Sequence, residues 1–210
     1  MEIIWHGQSC FSVTGESTTI VTDPFGPKLG VLPPLAADIV LVTHDHFDHN
    51  YVQAVTGHPG IIKAIGEYFV KDVKVTGYPT YHDAAAGADR GRNIVYIIEQ
   101  DGLRLAHLGD LGEPLSADLI ELLDGIDVLM IPVGRHVTID IPDVLGLIAA
   151  VNPRITLPMH YRTPASPETS FLDPIDAFCD SVGGCPEPKP KLYLTTSDIS
   201  ANQIVVLSVR

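Results

Sequence analysis

His44, Asp45, His46, Phe47, Asp48 and His49 form an H-x-H-x-D-H run directly after the apolar stretch 39–43. Alternate residues of a loop leaving a strand can point the same way, so His44 and His46 can serve one cation together. Asp48 and His49 can turn toward a neighbouring position and serve a second. Imidazole nitrogen and carboxylate oxygen are a donor set that suits Zn, Mn or Fe. Three further residues extend the pattern. His82, in PTYHDA, offers a third imidazole. Asp110, in HLGDLG, lies between glycines that permit close approach of backbone to a metal. Its carboxylate could bridge two cations at about 3.5–4 Å, the spacing of two-metal hydrolysis. His160, in PMHY, would close the second set. The chemistry such a site supports is two-metal hydrolysis by an activated water. No Ser, Cys or Lys nucleophile is then required.

The elements that must position these groups can be read from the pattern of apolar residues. Strands are expected at 3–5, 11–14, 18–22, 39–43, 60–65, 73–77, 93–100, 103–108, 128–132, 155–158 and 204–209. Asp101-Gly102 is a hairpin signal. Helical spacing marks 116–123, with Ser116 as N-cap, and 142–150, with Asp140 as cap; short helices are expected at 67–71 and 174–179. Strands and helices therefore mix in α/β order. Strands end in or just before His44, Asp110 and His160, and His82 follows another. The ends of buried strands are where α/β folds place their sites.

Acidic residues outnumber basic ones 26 to 13, for a net charge of −13, and no run of Lys or Arg occurs. Such a surface repels nucleic acid, so no nucleic acid partner is expected. Hydrophobic residues make up 45% of the chain, enough for a core that needs no structural metal. Cys10, Cys179 and Cys185 are an odd set, read as reduced thiols of a cytoplasmic protein although Cys179 and Cys185 could pair. No membrane span and no signal peptide are apparent.

The ordered motifs WxGxSCF (with His6, Gly7 and Gln8 inside it), TDPF, THDHFDHN, HLGDLG, IPVG, TID and PMHY resemble the metallo-β-lactamase superfamily. Within it they look like the small bacterial branch related to ascorbate-6-phosphate lactonase and to N-acyl-phosphatidylethanolamine phospholipase D. The resemblance spans nearly the whole chain as a single domain. It implies a four-layer αβ/βα sandwich with metals at one edge between two sheets. It also implies two divalent ions, Zn foremost with Mn, Fe or Ni as alternatives. His44, His46 and His82 would hold the first and Asp48, His49 and His160 the second, with Asp110 bridging. Asp23 resembles the family's supporting carboxylate, while Asp83 and Asp45 read as loop carboxylates and His58 as a surface residue. Two departures stand out. Gln8 replaces a histidine common in relatives, with His6 nearby, and Arg135-His136 replace a glycine and an aromatic. Gln8, Arg135, His136, Tyr161 and Arg162 are candidates for contact with substrate or ligands. The activity so implied is hydrolysis of a small ester, lactone or phosphoester. A phosphodiesterase or nuclease, a mononuclear iron dioxygenase and a non-catalytic metal-binding protein are the competing readings. A small-molecule substrate and a possible homo-oligomer complete the expectation.

Overall fold

The computed structural model describes residues 1–114, 116–166, 169, 171–197 and 202–210. The first half of the chain folds into β1 (Glu2–Gly7), β2 (Cys10–Thr14), β3 (Thr19–Thr22), β4 (Leu35–Ala36), β5 (Ile39–Leu41), β6 (Val55–Thr56), β7 (Gly60–Ile62), β8 (Gly66–Val70) and β9 (Val73–Tyr81). There follow β10 (Arg92–Gln100), β11 (Leu103–His107), α1 (Ala117–Leu122), β12 (Val128–Pro132), α2 (Ile141–Val151), β13 (Ile155–Met159), α3 (Asp176–Ser181), β14 (Leu192–Tyr193) and β15 (Gln203–Ile204).

Two mixed sheets result. One runs β14-β1-β2-β3-β5-β7 and the other β15-β13-β12-β11-β10-β9-β8, with β4 and β6 paired apart. Strands β8 to β11 form an antiparallel meander, in which Asp101-Gly102 makes the turn from β10 to β11. From β11 the pairing becomes parallel, and α1 and α2 supply the crossovers that parallel neighbours require.

Alternation of side chains explains why the first sheet is buried on both faces. Phe11, Val13, Ile20, Ile39 and Leu41 face the main core, with Tyr96, Ile98 and Leu105 of the second sheet. Cys10, Val21 and Val40 face the other way, where Phe25, Leu29, Leu35 and Val55 cover them. All three α-helices arise in the second half of the described residues; loops and short 3-10 turns accompany the first sheet.

Three expectations are corrected. Residues 66–70 form an edge strand, not a helix, because they fold back on β9 with Tyr68 opposite Val75. The final strand shrinks to Gln203–Ile204, and only an isolated bridge between Lys189 and Leu207 continues it. Cys179 and Cys185 are joined in a disulfide. Gly183 and Gly184, both at positive φ, turn the chain back after α3, and the Gly184 amide bonds the Cys179 carbonyl at 2.8 Å. The returning chain brings the two Cα atoms to 5.0 Å, so the thiols no longer argue for a reducing compartment.

Candidate metal centre

The candidate ligands converge because each sits just past the C-terminal end of a strand. His44, His46, Asp48 and His49 occupy the loop after β5. His82 follows β9 directly, Asp110 lies three residues past β11, and His160 follows β13 directly. The first sheet thus presents four donors and the second sheet three across one edge of the sandwich. Two groups form: His44, His46 and His82; and Asp48, His49, Asp110 and His160. Within each group the donor atoms lie within 4.8 Å of one another.

Asp110 stands between the groups. Its Oδ2 is 3.2 Å from His82 Nε2 and 3.9 Å from His44 Nε2 on one side. On the other it is 3.2 Å from His49 Nε2 and 3.3 Å from His160 Nε2. Its other oxygen accepts a long 3.4 Å hydrogen bond from the Ser9 hydroxyl. Burial opposes ionisation of Asp110, but His160 and His49 outweigh it and hold the carboxyl well below its ordinary range. The ring nitrogens His44 Nε2, His49 Nε2 and His160 Nε2 are buried without an aligned hydrogen-bond partner. Buried ring nitrogens crowded about a buried carboxylate without aligned hydrogen bonds are costly unless a cation fills the gap. The donor set therefore fits metal.

A second carboxylate organises the ring behind these donors. Asp23, fully buried at φ 38°, accepts from the Thr43 amide on Oδ1 at 2.8 Å and from the Thr43 hydroxyl on Oδ2 at 2.9 Å. Oδ2 also lies 2.9 Å from His107 Nε2 and 3.1 Å from His49 Nδ1, the latter a close ion-pair contact without ideal alignment. Thr43 Oγ1 is 2.9 Å from His44 Nδ1. Having donated its own proton to Asp23, this hydroxyl is left to accept from the imidazole. Asp23 thus orients His49 directly and His44 through Thr43, and both rings turn Nε2 toward Asp110. Burial opposes the charge on Asp23, yet His49 and His107 keep its carboxyl below the usual range. His44, by contrast, is pushed down to about 2 by burial and by the charge of His49, which leaves its nitrogen free to coordinate.

Backbone geometry is strained where the site is built. Gln8, Asp23, Arg135, His136 and His160 all adopt positive φ. Gly109, at φ +55°, is needed because a Cβ there would lie 2.5 Å from Asn93 Oδ1 and 2.8 Å from Thr43. Gly134 is needed because a Cβ would lie 2.1 Å from the His160 carbonyl oxygen. Asn93 Oδ1 accepts from the Asp110 amide at 3.1 Å, while its Nδ2 donates to Thr80 and to the Leu108 carbonyl.

The remaining candidate residues take up contacts within the fold. At Gln8 the backbone works: its carbonyl accepts from the His160 amide at 3.0 Å and from the Trp5 indole at 2.9 Å. The pairing of β1 and β2 shifts register between Trp5 and Gly7, so alternation does not carry through residues 6–8. His6 instead pairs with Ser12 at 2.9 Å. Arg135 and His136 both engage Asp173, at 2.9 and 3.0 Å. Tyr161 is buried against Trp5 with ring centroids 4.8 Å apart, which makes it core. Arg162 is exposed, and its amide bonds the Asp173 carbonyl. Asp83 is spent on its own loop, accepting from the amides of Ala85, Gly87, Asp89 and Arg90. Asp45 and His58 are exposed loop residues, as expected. Ser9, Thr43, Asn93 and His107 were not singled out by the sequence. His107 carried the clearest signal, as a histidine at the end of the strand LRLAH, three residues before Asp110.

A cleft of about 780 Å³ opens beside His44 and His46, between the ends of β5 and β7 and the ends of β9 and β10.

The beta-lactamase superfamily domain model matches residues 2–160, the stretch that ends on the last candidate ligand. The chain belongs to the metallo-β-lactamase superfamily. It is 31% identical over 191 residues to a UPF0173 metal-dependent hydrolase of Thermoplasma acidophilum, covering 78% of this chain and 84% of that relative. A crystal structure from Thermotoga maritima, provisionally assigned as a Zn-dependent hydrolase of the superfamily, shares 33% identity. It aligns with a TM-score of 0.82 over 98% of this chain and 97% of its own. The diiron β-hydroxylase CmlA of Streptomyces venezuelae is 14% identical and shares the fold over 92% of this chain and 53% of its own, with a TM-score of 0.61. This chain's family is therefore that of metal-dependent hydrolases on an αβ/βα sandwich. Among the described residues no helix is long and apolar enough to cross a membrane.

Proposed function

We propose that the protein is a binuclear metal-dependent hydrolase acting on a small ester, lactone or phosphoester. His44, His46 and His82 would hold one divalent cation and Asp48, His49 and His160 the other, with Asp110 shared. The observation that carries this reading is the position of Asp110 Oδ2, within 3.2–3.9 Å of ring nitrogens from both groups. When bound, such cations polarise a carbonyl or phosphoryl oxygen and make water nucleophilic near neutral pH. Zn is the expected ion by the chemistry of the donors and by likeness to the Thermotoga protein, with Mn, Fe or Ni able to use the same set.

The chain's own residues supply the rest. Asp23 and Thr43 fix the tautomers of His49 and His44, so that the donor nitrogens need no reorganisation when substrate arrives. Asp48 is the most open member of its group, at 14% side-chain exposure, with Oδ2 3.6 Å from His49 Nε2. It is therefore placed to orient water and to take up a proton from it. Trp5 and the Gln8 carbonyl hold the His160 loop.

Elemental analysis of protein purified without chelator or metal-affinity resin tests the reading. About two equivalents of Zn or Mn per chain are expected. Asp110→Ala should lose metal and activity together. One equivalent of iron, or an Asp110→Ala variant with full metal and full activity, would overturn it.

A further inference from the structure

The cleft beside His44 and His46 has a charge that contradicts the rest of the molecule. The chain carries a net −13 with only 13 basic residues. Three of those 13, Lys63, Arg90 and Arg92, line this one cleft, where the only carboxylate is Asp45. The lining side chains thus sum to +2, three positive against one negative, before any cation is bound. Lys63, Arg90 and Arg92 are exposed and make no salt bridge among the described residues. Elsewhere five of the ten basic side chains pair with carboxylates among the described residues: Lys71 with Asp38, Lys74 with Glu67, Arg135 with Asp173, Arg154 with Asp127, Lys191 with Glu2.

Nor is the placement of these cations loose. Asp83 gathers four backbone amides of the 83–90 loop, the last being that of Arg90 itself at 2.7 Å. That loop begins beside His82, and its end returns to the sheet as β10, where Arg92 pairs with Tyr81. Lys63 lies directly past β7, which pairs in parallel with β5, the strand leading to His44. Both sheets therefore deliver unpaired cations to the mouth of the cleft whose inner lining includes His44 and His46.

We infer that Lys63, Arg90 and Arg92 form an anion subsite that selects small substrates carrying a phosphate or carboxylate group remote from the bond that is cleaved. This rests on the hydrolase reading above for the word substrate, and on the cleft alone for the anion. Guanidinium groups match both oxyanions through paired N–H donors. The acidic remainder of the surface repels a long polyanion, so a local positive cleft in that surround favours a small ligand.

The test has two arms. In the first, inorganic phosphate is titrated calorimetrically into chelated protein, so that no metal can take the anion. Wild type is expected to bind saturably, and the K63A/R90A/R92A variant, with its fold checked by circular dichroism, at least about tenfold more weakly. In the second, the metal-loaded protein is given aryl esters matched except for a remote neutral, carboxylate or phosphate group. The ratio of kcat/KM for charged over neutral ester should exceed one and should fall about tenfold in the variant. Absence of phosphate binding, or equal binding by the variant, overturns the anion subsite even if neutral esters are turned over. Phosphate binding that the variant loses, with no ester hydrolysed, upholds the subsite and sinks the hydrolase reading instead.

Discussion

Replacing Asp23 by Asn removes one oxygen from the centre of the supporting network. Four donors converge on this carboxylate: the Thr43 amide on Oδ1, and the Thr43 hydroxyl, His107 Nε2 and His49 Nδ1 on Oδ2. An Asn that keeps its oxygen toward the Thr43 amide points an NH₂ at the other three. The Thr43 hydroxyl can turn to accept, but it then donates toward His44 Nδ1 and alters the tautomer that leaves Nε2 free. His49 and His107 are left with buried donors facing a donor, at a cost of about 1–3 kcal/mol for each unsatisfied group. The summed loss is roughly 2–6 kcal/mol, or about 4–24 °C in Tm for a chain of this size. Loss of an outer carboxylate of this kind lowers metal affinity about 10–100-fold. Competition against a fluorescent chelator measures the affinity, and calorimetry of metal-free protein measures the stability. An Asp23→Asn protein with both the wild-type chelator midpoint and the wild-type Tm would refute the claim that Asp23 orients His49 and His44.

Three further outcomes are expected. Gly134→Ala places a Cβ 2.1 Å from the His160 carbonyl oxygen, and neither backbone can yield cheaply; Tm should drop by roughly 5–10 °C, with metal content falling through displacement of His160. Burial, aided by the charge of Arg210, pushes His6 down to about 4 from its ordinary 6.5. The unfolded chain then binds the proton first as pH falls, so stability is full above pH 6.5 and declines toward pH 4, by up to about 3 kcal/mol. Denaturant titrations of metal-free wild type and His6→Gln across that window should diverge in slope, the variant being flatter; parallel curves would contradict the assignment. Cys179→Ser with Cys185→Ser opens a small loop and should cost about 2 kcal/mol. A thiol assay should find no reactive cysteine in the folded wild type and one, Cys10, after denaturation.

Much of the site was legible because ligand chemistry is local. H-x-H-x-D-H needs neighbours in sequence, and a strand ending in a titratable residue is visible as a break in an apolar run. The supporting residues were less legible because their meaning is set by contacts far along the chain. Asp23 could be proposed from resemblance, but its bond to His107 joins residues 84 apart. Thr43 and Asn93 look like ordinary strand residues, and their partners, Asp23 for the one and Asp110 for the other, lie elsewhere in the chain. The pairing of Arg135 and His136 with Asp173 was not legible either, because Asp173 lies beyond α2 and β13. Residues 67–71 misled for a different reason. An edge strand with one face exposed carries a weak alternation, and pairing with β9 overrides local preference. The disulfide was a matter of turn geometry, since two glycines at positive φ reverse the chain over a spacing that was weighed on compartment alone.

The donors of the candidate centre are divided between the two sheets, His44 to His49 from one and His82, Asp110 and His160 from the other. The edge where they meet is therefore a seam as well as a site. Ring nitrogens of His44, His49, His82 and His160 are buried along that seam without hydrogen-bond partners. Whatever occupies it also sets how often the sandwich parts there, because a ligand seen only by the closed form draws every segment that touches it into one opening unit. Amides at the ends of β5, β9, β11 and β13, remote in sequence, would then exchange with solvent as a group, and the rate of that exchange would report occupancy of the centre without any substrate in hand.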